Sequence, residues 1–134
     1  DPAREAKVSR LKSLIRRGTY LSSNDNNQAL VGKILARNLR VDIGDELTIL
    51  GQGRDGSIAA TVAKVKGIFN SGIDDFDRAS IHIPLNTFQE VYSMHGAVHE
   101  VVAIAASLAD VDNIKATLNT TLPSLKSKRK LVPT

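Results

Sequence analysis

A glycine-rich run is the first candidate for chemistry in this sequence. Residues 51–56 (Gly-Gln-Gly-Arg-Asp-Gly) match G-x-G-x-x-G, which binds a dinucleotide pyrophosphate when a strand precedes it and a helix begins from it. Asp74 or Asp75 could bind the ribose, since an acidic residue is needed about twenty positions onward. The residues after Gly56 alternate as in a strand, so we expect a hairpin turn. A dinucleotide-binding enzyme fragment is the alternative.

Histidines form a second candidate site. His95 and His99 are spaced i, i+4, which on a helix would present both imidazoles to a metal, with Glu90 or Glu100 as a further ligand. Gly96 interrupts such a helix. We therefore expect surface histidines in a loop.

A cluster of carboxylates, Asp74, Asp75 and Asp77, is the third candidate. It lacks the central glycine and the distal glutamate of a calcium loop, so residues 70–78 are expected to form a solvated acidic loop. The sequence has no cysteine, no nucleophile elbow and no recognisable serine–histidine pair. We expect no catalytic residue, no metal and no cofactor, and a binding or mechanical domain rather than an enzyme.

Composition and charge narrow the class of protein. The 134 residues are 42% hydrophobic and 24% charged, which is typical of one globular domain. The net charge of +4 arises at the ends, because residues 1–17 and 126–134 are basic and the middle is acidic. The few aromatic residues do not cluster with arginines, so no nucleic-acid partner is expected. A basic-ended interaction module is a further alternative.

The first predicted element is a helix that starts at Asp1 and Pro2, an N-cap followed by proline at the first helical position. An apolar stripe continues it to Ile15, and Gly18 is its expected stop. The stripe comprises Val8, Leu11, Leu14 and Ile15.

The middle of the chain predicts strands around one short helix. A strand at 29–31 precedes a helix over 33–39, with Ile34, Leu35 and Leu39 directed inward. Gly44 and Asp45 form a turn into a strand that ends at Leu50. Alternation over 57–69 predicts a long strand.

The last third predicts alternating strands and helices. Residues 80–83 form a strand that ends at Pro84, where a helix begins and runs to Tyr92. Residues 101–107 are expected to form a buried strand, and Asp110 to cap a final helix. The fold class is α+β, a mixed α/β core with an inserted β-rich subdomain.

Two large apolar residues, Ile73 and Phe76, interrupt the polar loop 70–78. They either fold back over the β-rich subdomain or are presented to a partner. We favour the first, and hold both residues as candidates for a partner contact.

Three stretches, taken in order, resemble the extracytoplasmic domain of FtsX-like ABC transporter permeases, which include macrolide exporters and lipoprotein-releasing permeases. They are residues 31–45 (Val-Gly-Lys-Ile-Leu-Ala-Arg-Asn-Leu-Arg-Val-Asp-Ile-Gly-Asp), residues 65–72 with the acidic turn after them, and the helix entry at 83–91. The opening at 1–5 and the segment 108–122 are also similar to the family. The order and spacing carry the resemblance.

The resemblance implies one extracytoplasmic domain over 1–134, with a β-rich subdomain at about 28–84 and the MacB-like periplasmic core fold, truncated at its N-terminus. Such a domain lies between the first two transmembrane helices of an inner-membrane permease. The implied partners are a cytoplasmic ABC ATPase, a second permease copy and an exported lipoprotein, lipid, peptide or drug. No catalytic residue belongs to the domain.

Overall fold

A computed structural model describes residues 1–122 of the chain. These residues divide into a unit Asp1–Val101 and a second unit that begins at Val102. The predicted basic tail at 126–134 lies outside the described residues.

Helix α1 (Pro2–Val8) begins as the sequence predicts. The Asp1 carboxylate accepts hydrogen bonds from the backbone N–H groups of Ala3 and Arg4, at 3.0 and 3.2 Å, and so satisfies two donors that a helix start leaves unpaired. The predicted continuation to Ile15 is wrong. The chain leaves the helix at Ser9, which is extended, and passes through a 3₁₀ turn, Leu11–Leu14, into strand β1 (Ile15–Gly18).

Long-range packing explains why this helix is short. Strand β1 pairs antiparallel with a later strand, Ile15 opposite Phe69, and Leu11 packs into a cluster with Leu21 and Leu30. An apolar stripe at helical spacing is satisfied equally well by a turn and a strand that bury the same side chains, and the strand also supplies inter-strand hydrogen bonds.

One long strand, β4 (Ile58–Phe69), organises the sheet. Its first half pairs antiparallel with β3 (Glu46–Gln52), as the alternation predicts. Its second half pairs in parallel with β2 (Gln28–Gly32) on one edge and antiparallel with β1 on the other. Strand β5 (Ile81–His82) adds antiparallel to β2.

Short helices cover the sheet. They are α2 (Lys33–Leu39), α3 (Asp74–Ala79) and α4 (Leu85–Val91). The bounds of α2 are those predicted, and Leu35 packs against the core as expected. The prediction that Leu39 points inward is wrong, because Leu39 is 49% exposed and Ala36 is buried instead. Arg40 adopts a left-handed conformation directly after this helix, so the chain turns before Leu39 can reach the core.

The second unit contains a 3₁₀ turn, Leu108–Asp110, and helix α5 (Val111–Thr121). The helix is where the sequence predicts it, but the Asp110 side chain makes no cap hydrogen bond to it and instead accepts one from Ser107 Oγ at 2.6 Å. The prediction of a buried strand over 101–107 is wrong, since Val102 and Ile104 are exposed and the segment is not a strand. A strand needs a paired edge for its backbone, and no described strand provides one.

The predicted α+β class is confirmed by these helices and this mixed sheet. Strands β2 to β5 lie within residues 28–84, and β1 precedes them. The side chains of β2 alternate between two clusters, so that Ala29 and Val31 are buried with Val65, and Leu30 with Phe69.

Close packing of α3 against the end of β2 makes Gly32 a sensitive position. A Cβ at Gly32 would lie 2.2 Å from the carbonyl oxygen of Asp77, a backbone atom that cannot rotate away. We expect Gly32→Ala to lower the free energy of unfolding by about 2 kcal/mol, measured by urea denaturation. Gly72→Ala is the control, because Gly72 has positive φ and open space around it and should cost about 1 kcal/mol. Equal losses at both positions would exclude packing as the reason.

Candidate functional site

Residues 51–56 span the end of β3 and the turn of the β3–β4 hairpin, because Gly51 and Gln52 still pair with β4 and the turn follows them. Gly53 N–H donates to the carbonyl of Ser57 at 2.8 Å, and Gly56 N–H to the carbonyl of Gly53 at 2.9 Å. The Asp55 carboxylate accepts from the N–H and hydroxyl of Ser57 at 3.0 and 2.6 Å, and these bonds hold the pKa of Asp55 below its ordinary value. The chain continues as a strand from Ile58. The hairpin prediction is confirmed, and the helix start that a pyrophosphate needs does not follow this motif.

The prediction that residues 70–78 form a solvated acidic loop is wrong in part. Residues from Asp74 onward form α3 rather than a loop, and Asp77 is buried with 2% exposure. Its carboxylate accepts from Ser71 N–H at 2.9 Å and from Ser71 Oγ at 2.7 Å. Asp77 is therefore an internal clamp that closes the turn before α3, whereas Asp74 and Asp75 are exposed.

His95 and His99 lie in a loop, as the sequence predicts. His95 lies in a turn and is exposed, and the His99 ring stands edge-on to Phe88 with centroids 5.7 Å apart. Within residues 1–122, no three His, Asp or Glu side chains converge into a group that could hold a metal ion.

Ile73 and Phe76, the candidate contact residues, have different surroundings. Phe76 is 39% exposed and packs against Phe69 and His82, with ring centroids 5.6 and 6.0 Å away. Ile73, just before α3, is 64% exposed. Phe76 is thus attached to the sheet, whereas Ile73 is directed to the surface.

His82 is a titratable group that the sequence gave no reason to single out. Its ring completes an aromatic group with Phe69 and Phe76, and its buried Nε2 has no hydrogen-bond partner in the described chain. Burial lowers the pKa of His82, and the charge of Glu5 partly opposes that shift. The imidazole is therefore held neutral near pH 7.

A cleft of about 270 Å³ lies beside this aromatic group, lined by residues that include Glu5, Tyr20, His82 and Phe88. Burial raises the pKa of Tyr20, and Glu5 adds to the increase. No acid and base among its described lining residues are hydrogen-bonded to each other, and none of those residues is an activated nucleophile. The cleft therefore lacks the arrangement of a catalytic site.

The described geometry is that of a mechanical or binding domain, and comparison with known proteins gives its class. The chain matches the MacB-like periplasmic core domain over residues 2–121, and it belongs to that family. It is thus the periplasmic domain of a MacB/FtsX-type ABC transporter permease and not a catalytic enzyme. The family implies an inner-membrane protein that assembles with an ABC ATPase and a second permease copy. The comparison with curated proteins finds no match. None of the helices in residues 1–122 is long and apolar enough to cross a membrane.

The neutral, buried His82 predicts a pH-dependent stability. Because its folded pKa lies below the unfolded value of 6.5, protons bind the unfolded chain more tightly. The stability is complete above about pH 6.5 and falls as the pH is lowered through the folded pKa. We expect His82→Phe, which keeps an aromatic ring against Phe69, to flatten this part of the profile of unfolding free energy against pH. An unchanged slope in the variant would assign the dependence to other groups.

Proposed function

We propose that this domain couples ATP hydrolysis in the cytoplasm to the export or release of a substrate at the outer face of the inner membrane. The substrate class is a lipoprotein, lipid, peptide or drug, and the ATPase is a separate subunit or a domain fused to the permease. The observation that carries the proposal is the family match over residues 2–121.

The close packing of the first unit supports a mechanical role. Strand β4 is held on both edges in its second half, and α3 packs closely against that sheet where the Asp77 backbone meets Gly32. A domain of this kind transmits a displacement as a body, because packed cores do not deform continuously. No group of three or more His, Asp or Glu side chains in residues 1–122 could hold a metal ion.

Ile73 is the part of the α3 region that we propose as a partner contact, either with the second permease copy or with the substrate. It is exposed beside a clamped turn, so presenting it costs little conformational entropy. Phe76, three residues further on, packs on Phe69 and His82 and so attaches the start of α3 to the sheet.

Replacing the domain in the intact permease tests the coupling. We expect a permease in which residues 2–121 are exchanged for a short flexible linker to insert, bind its ATPase and hydrolyse ATP, but to lose substrate export. Export is measured in cells or proteoliposomes beside the ATPase rate. Undiminished export from a correctly inserted variant would contradict the proposal.

Single serine substitutions separate the roles of Ile73 and Phe76. Phe76→Ser should lower the unfolding free energy of the chain by about 2 kcal/mol, because half-buried aromatic contacts are lost. Ile73→Ser should change it by less than about 0.5 kcal/mol while export by the intact permease falls. Asp75→Ser, on the exposed start of α3, is the matched surface control. Export equal to that of the control would remove Ile73 from the contact.

A dinucleotide-binding function has no geometric support here. The G-x-G-x-x-G run closes a hairpin, and its glycine N–H groups at 53 and 56 are already bonded within the turn. The apolar and aromatic surfaces of the domain fit a contact role better than phosphate recognition.

A further inference from the structure

Basic side chains are concentrated at the start of the first unit, from α1 to β1. Residues 1–17 carry six lysine and arginine side chains and two carboxylates, whereas residues 18–122 carry eight and twelve. The segment is therefore positive and the rest of the described chain is negative. An uneven distribution of this kind attracts an anionic partner to one part of the surface.

The two carboxylates of this segment are engaged elsewhere. Asp1 caps α1, and its Oδ2 lies 3.7 Å from the Arg4 Nε. Glu5 lines the cleft, where its charge acts on Tyr20 and His82. Within residues 1–122, neither carboxylate forms an ion pair with a basic residue after Arg4.

Four basic side chains of the segment are exposed and have no carboxylate partner within residues 1–122. They are Lys7, Arg10, Lys12 and Arg16, and we call them the N-terminal basic surface. The fifth exposed cation after α1, Arg17, differs from them because it pairs with Asp42 at 2.8 Å.

Apolar packing holds the N-terminal basic surface outward. Leu11, Leu14 and Ile15 lie between its members in the sequence and pack into the cluster around Phe69. Because these side chains face the core, the basic side chains beside them face solvent. The cations are thus carried by a segment that is anchored to the sheet.

A β-bulge brings charge from β1 next to the preceding turn. Two steps along β1 are matched by one step along β4, and the extra residue is Arg16. Bulges redirect side chains at sheet edges, and the Arg16 Nη1 donates to the carbonyl of Ser13 at 3.1 Å. The guanidinium therefore lies beside the 3₁₀ turn that also carries Lys12.

A membrane surface with anionic headgroups fits these features. The domain is periplasmic and belongs to an inner-membrane protein, so phosphate groups of lipids lie near it. Residues 7–17 contain no aromatic side chain on which a nucleic-acid base could stack. We propose that the N-terminal basic surface binds the phosphate headgroups of anionic phospholipids and holds the first unit against the membrane. This contact goes beyond the proposed function, which requires no lipid contact of the domain.

Vesicle co-sedimentation tests the proposal. Residues 126–130 are also basic in the sequence, so every chain measured carries glutamine at 126, 128, 129 and 130. At low ionic strength we expect this parent chain to bind vesicles that contain phosphatidylglycerol and phosphatidylcholine. Its partition coefficient should be at least about tenfold lower for phosphatidylcholine alone, and about 0.5 M salt should release it from the anionic vesicles.

A triple variant tests which residues bind the lipid. Lys7→Gln, Arg10→Gln and Lys12→Gln together should lower the partition coefficient at least about tenfold, because each basic side chain near an anionic surface contributes about fivefold. The charge-conserving variant Lys7→Arg, Arg10→Lys and Lys12→Arg should bind as the parent chain does. Circular dichroism verifies that all variants keep the fold.

Helix α2 and its C-cap offer a matched control. Lys33→Gln, Arg37→Gln and Arg40→Gln also remove three exposed charges, but α2 packs through Leu35 on the other cluster of the sheet. This variant should stay within about twofold of the parent chain, because charges beyond the Debye length are screened.

Three results would overturn the proposal: a parent chain that does not bind anionic vesicles, a triple variant at 7, 10 and 12 that binds undiminished, or equal losses in the two triple variants. Equal losses would mean that net charge alone governs binding. A parent chain that ignores vesicles but binds polyglutamate would assign the surface to an acidic protein instead. Each of these results leaves the proposed function in place, because export by the intact permease is measured separately.

Discussion

The second half of β4 has to pair on both edges at once, and the architecture of the first unit follows from that requirement. With β2 on one side and β1 on the other, residues 67–69 are accessible only through the two sheet faces, and all three are buried. Gly67 fits because a Cβ there would lie 2.6 Å from the carbonyl oxygen of Thr19. The helices then cover apolar faces that strand pairing has already fixed, while the first half of β4, paired only with β3, remains a ribbon.

The same core determines how the α3 region is presented. Phe69, at the end of β4, supplies the surface on which Phe76 and His82 pack. Asp77 closes the preceding turn through Ser71, and β2 ends against it at Gly32. A carboxylate this deeply buried is stabilised by the hydrogen bonds it accepts. Its position keeps Ile73 at the surface on a fixed turn instead of a flexible loop.

Several exposed apolar side chains lie on packed elements of the first unit. Ile73 lies beside α3, and Leu50 and Ile58 lie on the ribbon. A domain that carries force between partners needs contacts that do not yield when pulled, and it needs no reactive group.

The sequence by itself determined the family, the α+β class and the elements whose signals are local: the cap at Asp1, helix α2, the β3–β4 hairpin and the helix after Pro84. It did not determine the structure of segments whose side chains are buried by partners distant in the chain. The N-terminal stripe fits a helix as well as the turn and strand that pair with β4, Asp77 is an exposed carboxylate until Ser71 folds over it, and residues 101–107 favour a strand but find no paired edge. The neutrality of His82 also depends on neighbours distant in the chain, because Phe69 packs against its ring. Periodicity specifies which side chains are apolar, but only tertiary packing decides which partner buries them.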